Sequence, residues 1–584
     1  MADIAAVVEA PVIGASLLDK KKKMPGWASG VIALIALLGG LGYIGFNVAG
    51  DLGNLTLGST WAYVLLATAL FIALGFEFVN GFHDTANAVA TVIYTHSMEP
   101  NIAVVWSGLW NLIGVLTSAG TVAFTIITLL PVELILKVSS GAGFAMVFAL
   151  LIAAILWNLG TWWFGLPASS THTMTGSIIG VGIANQLMNV GGGTSGVDWE
   201  QATKVFRVLL ISPLVGFCCA AVLLMVLKPK TRTLGCALLT PILFAVFFWL
   251  ADFSVLISAL LAVGIGTSCW ILFRFVPVPD SLFRAPEGEK PPPFLIRALL
   301  VLTCTGVSFS HGSNDGQKGM GLIMLILIGT VPTAYALNHT VGPRDIQDFI
   351  AASDQAVTIV DRHVDRNGIM GDPRVELTDF LRTRKMAPAT LTALRETIRD
   401  TEGDVQAYGT YKNVPANQQS NVRNDMYVTS ETIRILEKTH QGGFSKDDIA
   451  SLDNYKKHVD KATRFIPTWV KVAVALALGL GTMVGWKRIV VTVGEKIGKE
   501  HLTYGQGAVA ELVAMATIRA ADVYGLPVST THVLSSGVAG TMAANNSGLQ
   551  LSTIRNIAAA WVFTLPAAAL LSGLLFWGFR QLAG

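Results

Sequence analysis

The sequence predicts an all-α polytopic membrane protein made of two inverted repeats, with discontinuous and re-entrant helices and about 11–13 membrane segments. Three observations predict it. The 584 residues are 52% hydrophobic and only 14% charged, where ordinary soluble domains carry roughly 25% charged residues. The apolar residues gather in runs near the ~20 residues that cross a bilayer as a helix. Two pairs of polar motifs recur along the chain. This composition excludes a soluble globular protein and a disordered chain. With 41 Lys+Arg against 38 Asp+Glu, the net charge of +3 gives no polyanion partner, so no nucleic acid is expected. Cys218, Cys219, Cys236, Cys269 and Cys304 lie in apolar stretches without a C-x-x-C pair, which argues against a disulfide framework and a zinc site. No metal centre and no cofactor are expected.

In chain order, residues 1–26 read as a cytoplasmic tail, held there by Lys20-Lys21-Lys22-Lys23. The run Trp27 to Val48 is too long for a signal peptide and lacks a clear cleavage site, so 27–48 reads as an extra transmembrane helix. Repeat A covers 61–228, with apolar runs at 61–80, 102–130, 142–164, 171–189 and 206–227. A connecting transmembrane hairpin follows at 229–294, with runs at 236–251 and 253–275. Repeat B begins at 295–338 and resumes at 467–579, with runs at 295–310, 319–337, 467–486, 505–524, 530–545 and 555–579. Residues 339–466 hold 18 basic and 19 acidic residues and no spanning run, so they read as a soluble insert, with helices over Pro388–Thr401 and Thr429–Lys438. Lys228-Pro229-Lys230-Thr231-Arg232 and the stretch Arg284 to Lys290 flank the connecting hairpin and place both its ends in the cytoplasm. Repeat B then enters from the cytoplasm and repeat A from outside, which makes the repeats inverted and the insert cytoplasmic. Paired, Gly/Pro-interrupted segments in inverted repeats point to a secondary transporter.

The repeat rests on two motif pairs. Phe78-Val79-Asn80-Gly81-Phe82-His83-Asp84-Thr85-Ala86-Asn87-Ala88 aligns with Phe309-Ser310-His311-Gly312-Ser313-Asn314-Asp315-Gly316-Gln317-Lys318-Gly319 at an offset of 231 residues. Gly165-Leu166-Pro167-Ala168-Ser169-Ser170-Thr171-His172 aligns with Gly525-Leu526-Pro527-Val528-Ser529-Thr530-Thr531-His532 at an offset of 360. The two offsets differ by 129, close to the length of the insert.

Asp84 and Asp315 lie in apolar surroundings, where a carboxylate costs several kcal/mol unless it meets a cation, a proton or water. They are candidate coupling-ion residues; the alternative is a helix-packing hydrogen bond. Asn80, Asn87, Asn314 and Gln317 add amides that can share a cation or donate to an oxyanion. Gly81, Gly312, Gly316 and Gly319 are expected to let the helices unwind and free backbone groups. In the second pair, Pro167 and Pro527 favour the first turn of a helix, so Ser169, Ser170, Thr171 and Ser529, Thr530, Thr531 stand at helix N-termini. Hydroxyls, free N–H groups and the positive dipole end make an oxyanion cradle there, while N-capping is the plainer reading. His172 and His532 can bond the anion, orient a hydroxyl or simply pack. His83 beside Asp84 can carry a proton near neutral pH, or be a hydrogen-bonded core histidine. Glu77 and Glu511 are secondary candidates in apolar runs, Glu511 as a coupling-ion residue, and Lys318 offers a positive charge or a partner for Asp315.

These motifs, in this order and over roughly 400 residues of the two repeats, resemble the inorganic phosphate transporter (PiT) family, most closely the bacterial low-affinity Pit phosphate permeases. The resemblance implies a secondary carrier in the bacterial inner membrane that moves phosphate with a coupling cation. Eukaryotic members use sodium; the bacterial permeases are associated with protons and neutral metal-phosphate complexes. It further implies a central site formed by Asp84, Asn87, Asn314 and Asp315 with Ser169, Ser170, Thr171, Ser529, Thr530 and Thr531. The sequence departs from the family's G-A-N-D at Gly81-Phe82-His83-Asp84, where His83 replaces an Asn, and this favours H+ over Na+. A sulfate or other oxyanion carrier on the same scaffold and a Na+-coupled phosphate symporter are the rivals. An enzyme is disfavoured, since neither G-x-S-x-G nor H-E-x-x-H occurs. The expected partners are thus phosphate, a cation and the lipid bilayer, and a homo-oligomer is compatible with the sequence.

Overall fold

In the computed structural model, residues 26–52, 60–84, 86–136, 140–189, 196–250, 254–275, 278–288, 290–364 and 371–582 are described. The expected tail 1–26 lies outside them apart from Gly26. Among the described residues the protein is helical, and the extended pairing is confined to an isolated bridge between Gly498 and Leu549. The principal helices are α1 (Gly26–Leu52), α2 (Thr60–Asp84), α3 (Ala86–Tyr94), α4 (Pro100–Thr117), α5 (Thr121–Ile127), α6 (Gly141–Trp163), α7 (Ser170–Met188), α8 (Trp199–Leu227), α9 (Thr240–Leu250), α10 (Val255–Phe275) and α11 (Phe294–Thr330). They continue with α12 (Pro343–Asp361), α13 (Pro373–Thr383), α14 (Thr390–Tyr408), α15 (Gln419–Thr439), α16 (Lys446–Thr463), α17 (Thr468–Thr482), α18 (Lys487–Glu495), α19 (Tyr504–Val523), α20 (Thr530–Asn545) and α21 (Leu551–Leu582).

Seven helical spans among the described residues are long and apolar enough to cross a membrane, or eight if α16 and α17, bent by 71° at their junction, count as one. The sequence expected 11–13 segments; the expected extra helix 27–48 coincides with α1, part of whose side chains lie outside the described residues, and the others are helices too short or too polar for that test. α17 has 15 residues and α20 has 16. α7 begins with a run of Ser, Thr and His, and α19 carries Glu511, Arg519 and Asp522. The run 102–130 breaks after Thr117, and Gly120, with φ of +86°, stands at the start of the next helix.

The runs 295–310 and 319–337 differ from expectation. The first run and the second as far as Thr330 belong to one 37-residue helix, α11, that passes unbroken through Gly312, Gly316 and Gly319. These glycines serve close packing instead of unwinding. A Cβ on Gly312 would strike the backbone of Asn111, and one on Gly319 would strike the Glu77 side chain. A Cβ on Gly81 would likewise strike the Leu478 carbonyl. Small residues let helix backbones approach where the bilayer offers no hydrophobic drive between helices.

The hairpin helices pack reciprocally. α7 lies on α21, the long helix after the second hairpin, and α20 lies on α8, the long helix after the first. Gly180 faces the Ala569 carbonyl and Gly540 the Phe217 carbonyl, and α8 and α21 carry Pro213 and Pro566.

The insert folds as helices α12–α16, and α14 and α15 cover nearly all of the two helical pieces expected there. Its buried residues, Phe349, Leu394 and Tyr455 among them, join one continuous apolar core with Tyr335 and Trp469. Ion pairs tie it to the start of α8: Arg384 to Asp198 at 2.7 Å, Arg434 to Asp198 at 3.6 Å and Lys438 to Glu200 at 3.5 Å.

Candidate functional site

The site grows from two matched helix starts. Each hairpin turns at a left-handed glycine, Gly165 (φ +65°) and Gly525 (φ +63°), a conformation that other residues rarely adopt. Pro167 and Pro527 follow, and the next helices begin at Ser170 and Thr530. Ser169 Oγ accepts from the His172 N–H and Ser529 Oγ from the His532 N–H, both at 3.2 Å. These two serines are N-caps. The following hydroxyls point elsewhere.

Ser170 Oγ donates to Asp84 Oδ2 at 2.7 Å, and Thr531 Oγ1 donates to Asp84 Oδ1 at 2.6 Å. One carboxylate at the end of α2 thus receives a hydroxyl from each hairpin. His83 Nδ1 lies 3.2 Å from Asp84 Oδ1, and its Nε2 lies 3.0 Å from Thr161 Oγ1. Asp315, from the middle of α11, comes to the same place: Ser170 Oγ is 3.5 Å from its Oδ2. Lys318 Nζ stands 2.8 Å from Asp315 Oδ2 and donates to Thr171 Oγ1 at 2.5 Å. Thr171 in turn donates to the Val528 carbonyl at 2.9 Å, which joins the two hairpins directly. Asn314 Nδ2 reaches the Leu526 carbonyl at 3.2 Å.

All these side chains are buried. Among the described residues, several polar atoms here and on the adjoining Thr530 and His311 lack a hydrogen-bond partner: Asn314 Oδ1, Asp315 Oδ1, Thr530 Oγ1 and His311 Nε2. Such atoms are costly when left unsatisfied, so the cluster is suited to a small polar ligand. The His311 nitrogen lies 3.9 Å from Asp84 and 3.6 Å from Asp315. Asp84, His311 and Asp315 offer three ligand atoms within 4.8 Å of one another, a set that could hold a metal ion where the sequence reading expected no metal centre. The arrangement can bind an oxyanion through hydroxyls and helix N-termini and a cation through carboxylates.

A profile described as the phosphate transporter family matches residues 80–572, from the first Asn-Asp motif to the last long helix. The chain belongs to the phosphate transporter family. It is 40% identical over 524 residues to the low-affinity inorganic phosphate transporter PitA of Escherichia coli (strain K12), covering 88% of this chain and 96% of PitA. PitB of the same organism is 38% identical over 536 residues, covering 89% of this chain and 97% of PitB. A probable low-affinity inorganic phosphate transporter of Bacillus subtilis (strain 168) is 25% identical over 516 residues, covering 88% and 97%. Among solved structures, one titled the sodium-dependent phosphate transporter shares the fold, with a TM-score of 0.50 at 18% identity, covering 89% of this chain and 99% of that one. As a member of this family the chain is a phosphate transporter rather than an enzyme, and a multi-pass integral membrane protein.

In this phosphate transporter most residues picked from the sequence converge, but not all. The side chain of Asn87 lies outside the described residues. Glu511 lies apart. It accepts hydrogen bonds from Thr91 and, at 2.5 Å, from Thr303. Thr303 precedes Asp315 by 12 residues on α11, about 18 Å along the helix axis. His172 and His532 pack on each other with ring centroids 4.4 Å apart, and His532 stacks on Trp561 at 4.0 Å.

Two participants were missed. His311 stands one helical turn before Asp315, and that spacing alone could have drawn notice. Asp522 accepts from Ser313 at 2.7 Å and Gln317 at 2.6 Å, so it fixes α11 on both sides of Asp315. No repeat signal marks it, because its counterpart in the first motif is Trp162, which packs on Phe82.

Proposed function

We propose that this transporter imports inorganic phosphate across the bacterial inner membrane by symport with a proton. Ser170, Thr171, Thr530, Thr531, Asn87 and Asn314 are assigned to phosphate, Asp84 with His83 to the coupling ion, Asp315 to the equivalent cation-binding position of the second repeat, Ser169 and Ser529 to holding the cradle, and Glu511 to a relay outside the central cluster. The observation that carries the reading is the convergence of Ser170 and Thr531 on Asp84. While Asp84 is anionic, it claims the same hydroxyls that an oxyanion would use. A proton on Asp84 removes that claim and turns the hydroxyls toward phosphate, so anion and cation bind together. His83 touches Asp84, so a proton passing to or from that carboxylate has an imidazole within reach. The two inverted repeats supply the alternating faces, and the insert 339–466 lies in the cytoplasm.

The test is phosphate accumulation in proteoliposomes with pH and sodium gradients imposed separately. Accumulation driven by an inward proton gradient without sodium is expected, reduced in His83→Asn. Uptake that needs sodium and ignores the pH gradient overturns the proton. Asp84→Asn is expected to abolish gradient-driven accumulation yet keep phosphate counterflow, because the hydroxyls no longer await a cation. A metal-phosphate complex as cargo is the second reading, favoured by the three converging donors Asp84, His311 and Asp315. It requires that uptake collapse when divalent cations are chelated.

A further inference from the structure

Asp84 and Asp315 are equivalent in the motif alignment, but their charges are balanced differently. The described partners of Asp84 are hydroxyls and imidazoles: Ser170, Thr531, His83 and, farther off, His311. Asp315 carries a full ion pair with Lys318 at 2.8 Å, and both side chains are buried. Lys318 occupies the position that Asn87 holds in the first motif, at the same offset that relates Asp84 to Asp315. The change from Asn to Lys therefore places a permanent cation beside one carboxylate of the pair.

The coordination of that ammonium is that of a small bound cation. It contacts a carboxylate oxygen of Asp315 and, at 2.5 Å, the hydroxyl oxygen of Thr171 from the first hairpin. Thr171 spends its own proton on the Val528 carbonyl, so its oxygen faces Lys318 as an acceptor. Lysine is a compact point charge on a flexible stem, able to stand where a monovalent ion would stand. A mobile cation arriving at Asp315 would meet this charge at close range in a low-dielectric setting.

We propose that Lys318 is a tethered cation that permanently fills the cation position at Asp315 and confines ion coupling to Asp84. The proposal rests on the reading of Asp84 and Asp315 as cation-binding carboxylates. Lys318 is in this sense a residue that sets coupling stoichiometry. Restoring the amide of the first motif with Lys318→Asn would expose Asp315, the Thr171 hydroxyl and the new amide oxygen, an all-oxygen set suited to sodium.

The experiment compares wild type, Lys318→Asn and Lys318→Arg. Cations moved per phosphate are read from reversal potentials in proteoliposomes, and sodium binding to the purified proteins is read with radiolabelled sodium. Lys318→Asn is expected to bind one more sodium ion per molecule than wild type and, where it transports, to move one more cation per phosphate. Lys318→Arg is expected to keep the wild-type numbers. The binding measurement stands even if Lys318→Asn transports nothing. Absence of the extra sodium ion in Lys318→Asn overturns the proposal. So does a tenfold or greater rise in phosphate KM in both variants without that ion, which would assign the ammonium to phosphate. The identity of the wild-type coupling ion tests the proton reading, whereas the increment between variants tests Lys318, so either can fail alone.

Discussion

Thr531 and Asp84 are 447 residues apart in the chain, and Thr531 Oγ1 donates to Asp84 Oδ1 at 2.6 Å. With Ser170 donating to the other oxygen at 2.7 Å, the second of the three hydroxyl residues in one hairpin and the third of those in the other share a single carboxylate. The repeat aligns Ser170 with Thr530 and Thr171 with Thr531, so the sharing does not follow the alignment. The two hairpins are equivalent in sequence and unequal in what they touch. Thr171, the counterpart of Thr531, binds Lys318 instead.

Removing either donor should weaken the coupled site. A hydrogen bond to a charged acceptor contributes about 1.5–3 kcal/mol. Ser170→Ala and Thr531→Ala should therefore lower apparent phosphate affinity by about 10- to 150-fold. Uptake kinetics over a range of phosphate concentrations check this. Wild-type KM in both variants would remove the hydroxyls from the site.

The caps should behave differently. Ser169 and Ser529 accept from the third N–H of their helices, and substitution of such a cap by Ala costs ~1 kcal/mol of stability. Ser169→Ala and Ser529→Ala should lower the melting temperature in detergent, whereas glycine at either position should cost only a few tenths of a kcal/mol. Phosphate KM should move far less than in Thr531→Ala. A cap variant with unchanged melting and a large KM change would make that serine a ligand.

Gly312 should tolerate no side chain. Its Cα faces the Asn111 backbone, which cannot rotate away as a flexible side chain can. Gly312→Ala should force α4 and α11 apart and displace His311 from Asn111, now 2.8 Å away. We expect little folded protein by size-exclusion chromatography, and normal yield would show that the crossing can open.

The insert should loosen in acid. Burial pushes the Glu431 carboxyl up, but Arg434 and Arg464 outweigh it and hold the group below its ordinary value of 4.5. A carboxyl depressed in the folded state contributes stability that is present above its ordinary value and is lost as pH falls through the folded value. Glu431 accepts from Arg434 at 2.6 Å and from Arg464 at 2.7 Å. Protection of the α15 amides against hydrogen exchange in the full-length protein, taken relative to the intrinsic exchange rate at each pH, should be high at neutral pH and fall below pH 4.5. Glu431→Gln should remove part of that pH dependence. An equal pH response in the variant would place the acid-sensitive group elsewhere.

The sequence by itself determined the helical membrane class, the polar insert, the paired motifs and the placing of Ser169–Thr171 and Ser529–Thr531 at helix starts. Each of these follows from local rules: runs of apolar residues, charge density, and a proline followed by hydroxyls. What the sequence could not determine is how each helix is rotated and where it crosses its neighbours. Only the tertiary structure decided that α11 runs unbroken, because its glycines are taken up by close contacts with the backbone and side chains of other helices. The same applies to Glu511, which faces Thr91 and Thr303 instead of the central carboxylates, and to His311, which turns inward between Asp84 and Asp315. A repeat fixes which residues are equivalent, but burial leaves each polar group to take the partner within reach, and those partners come from helices hundreds of residues away.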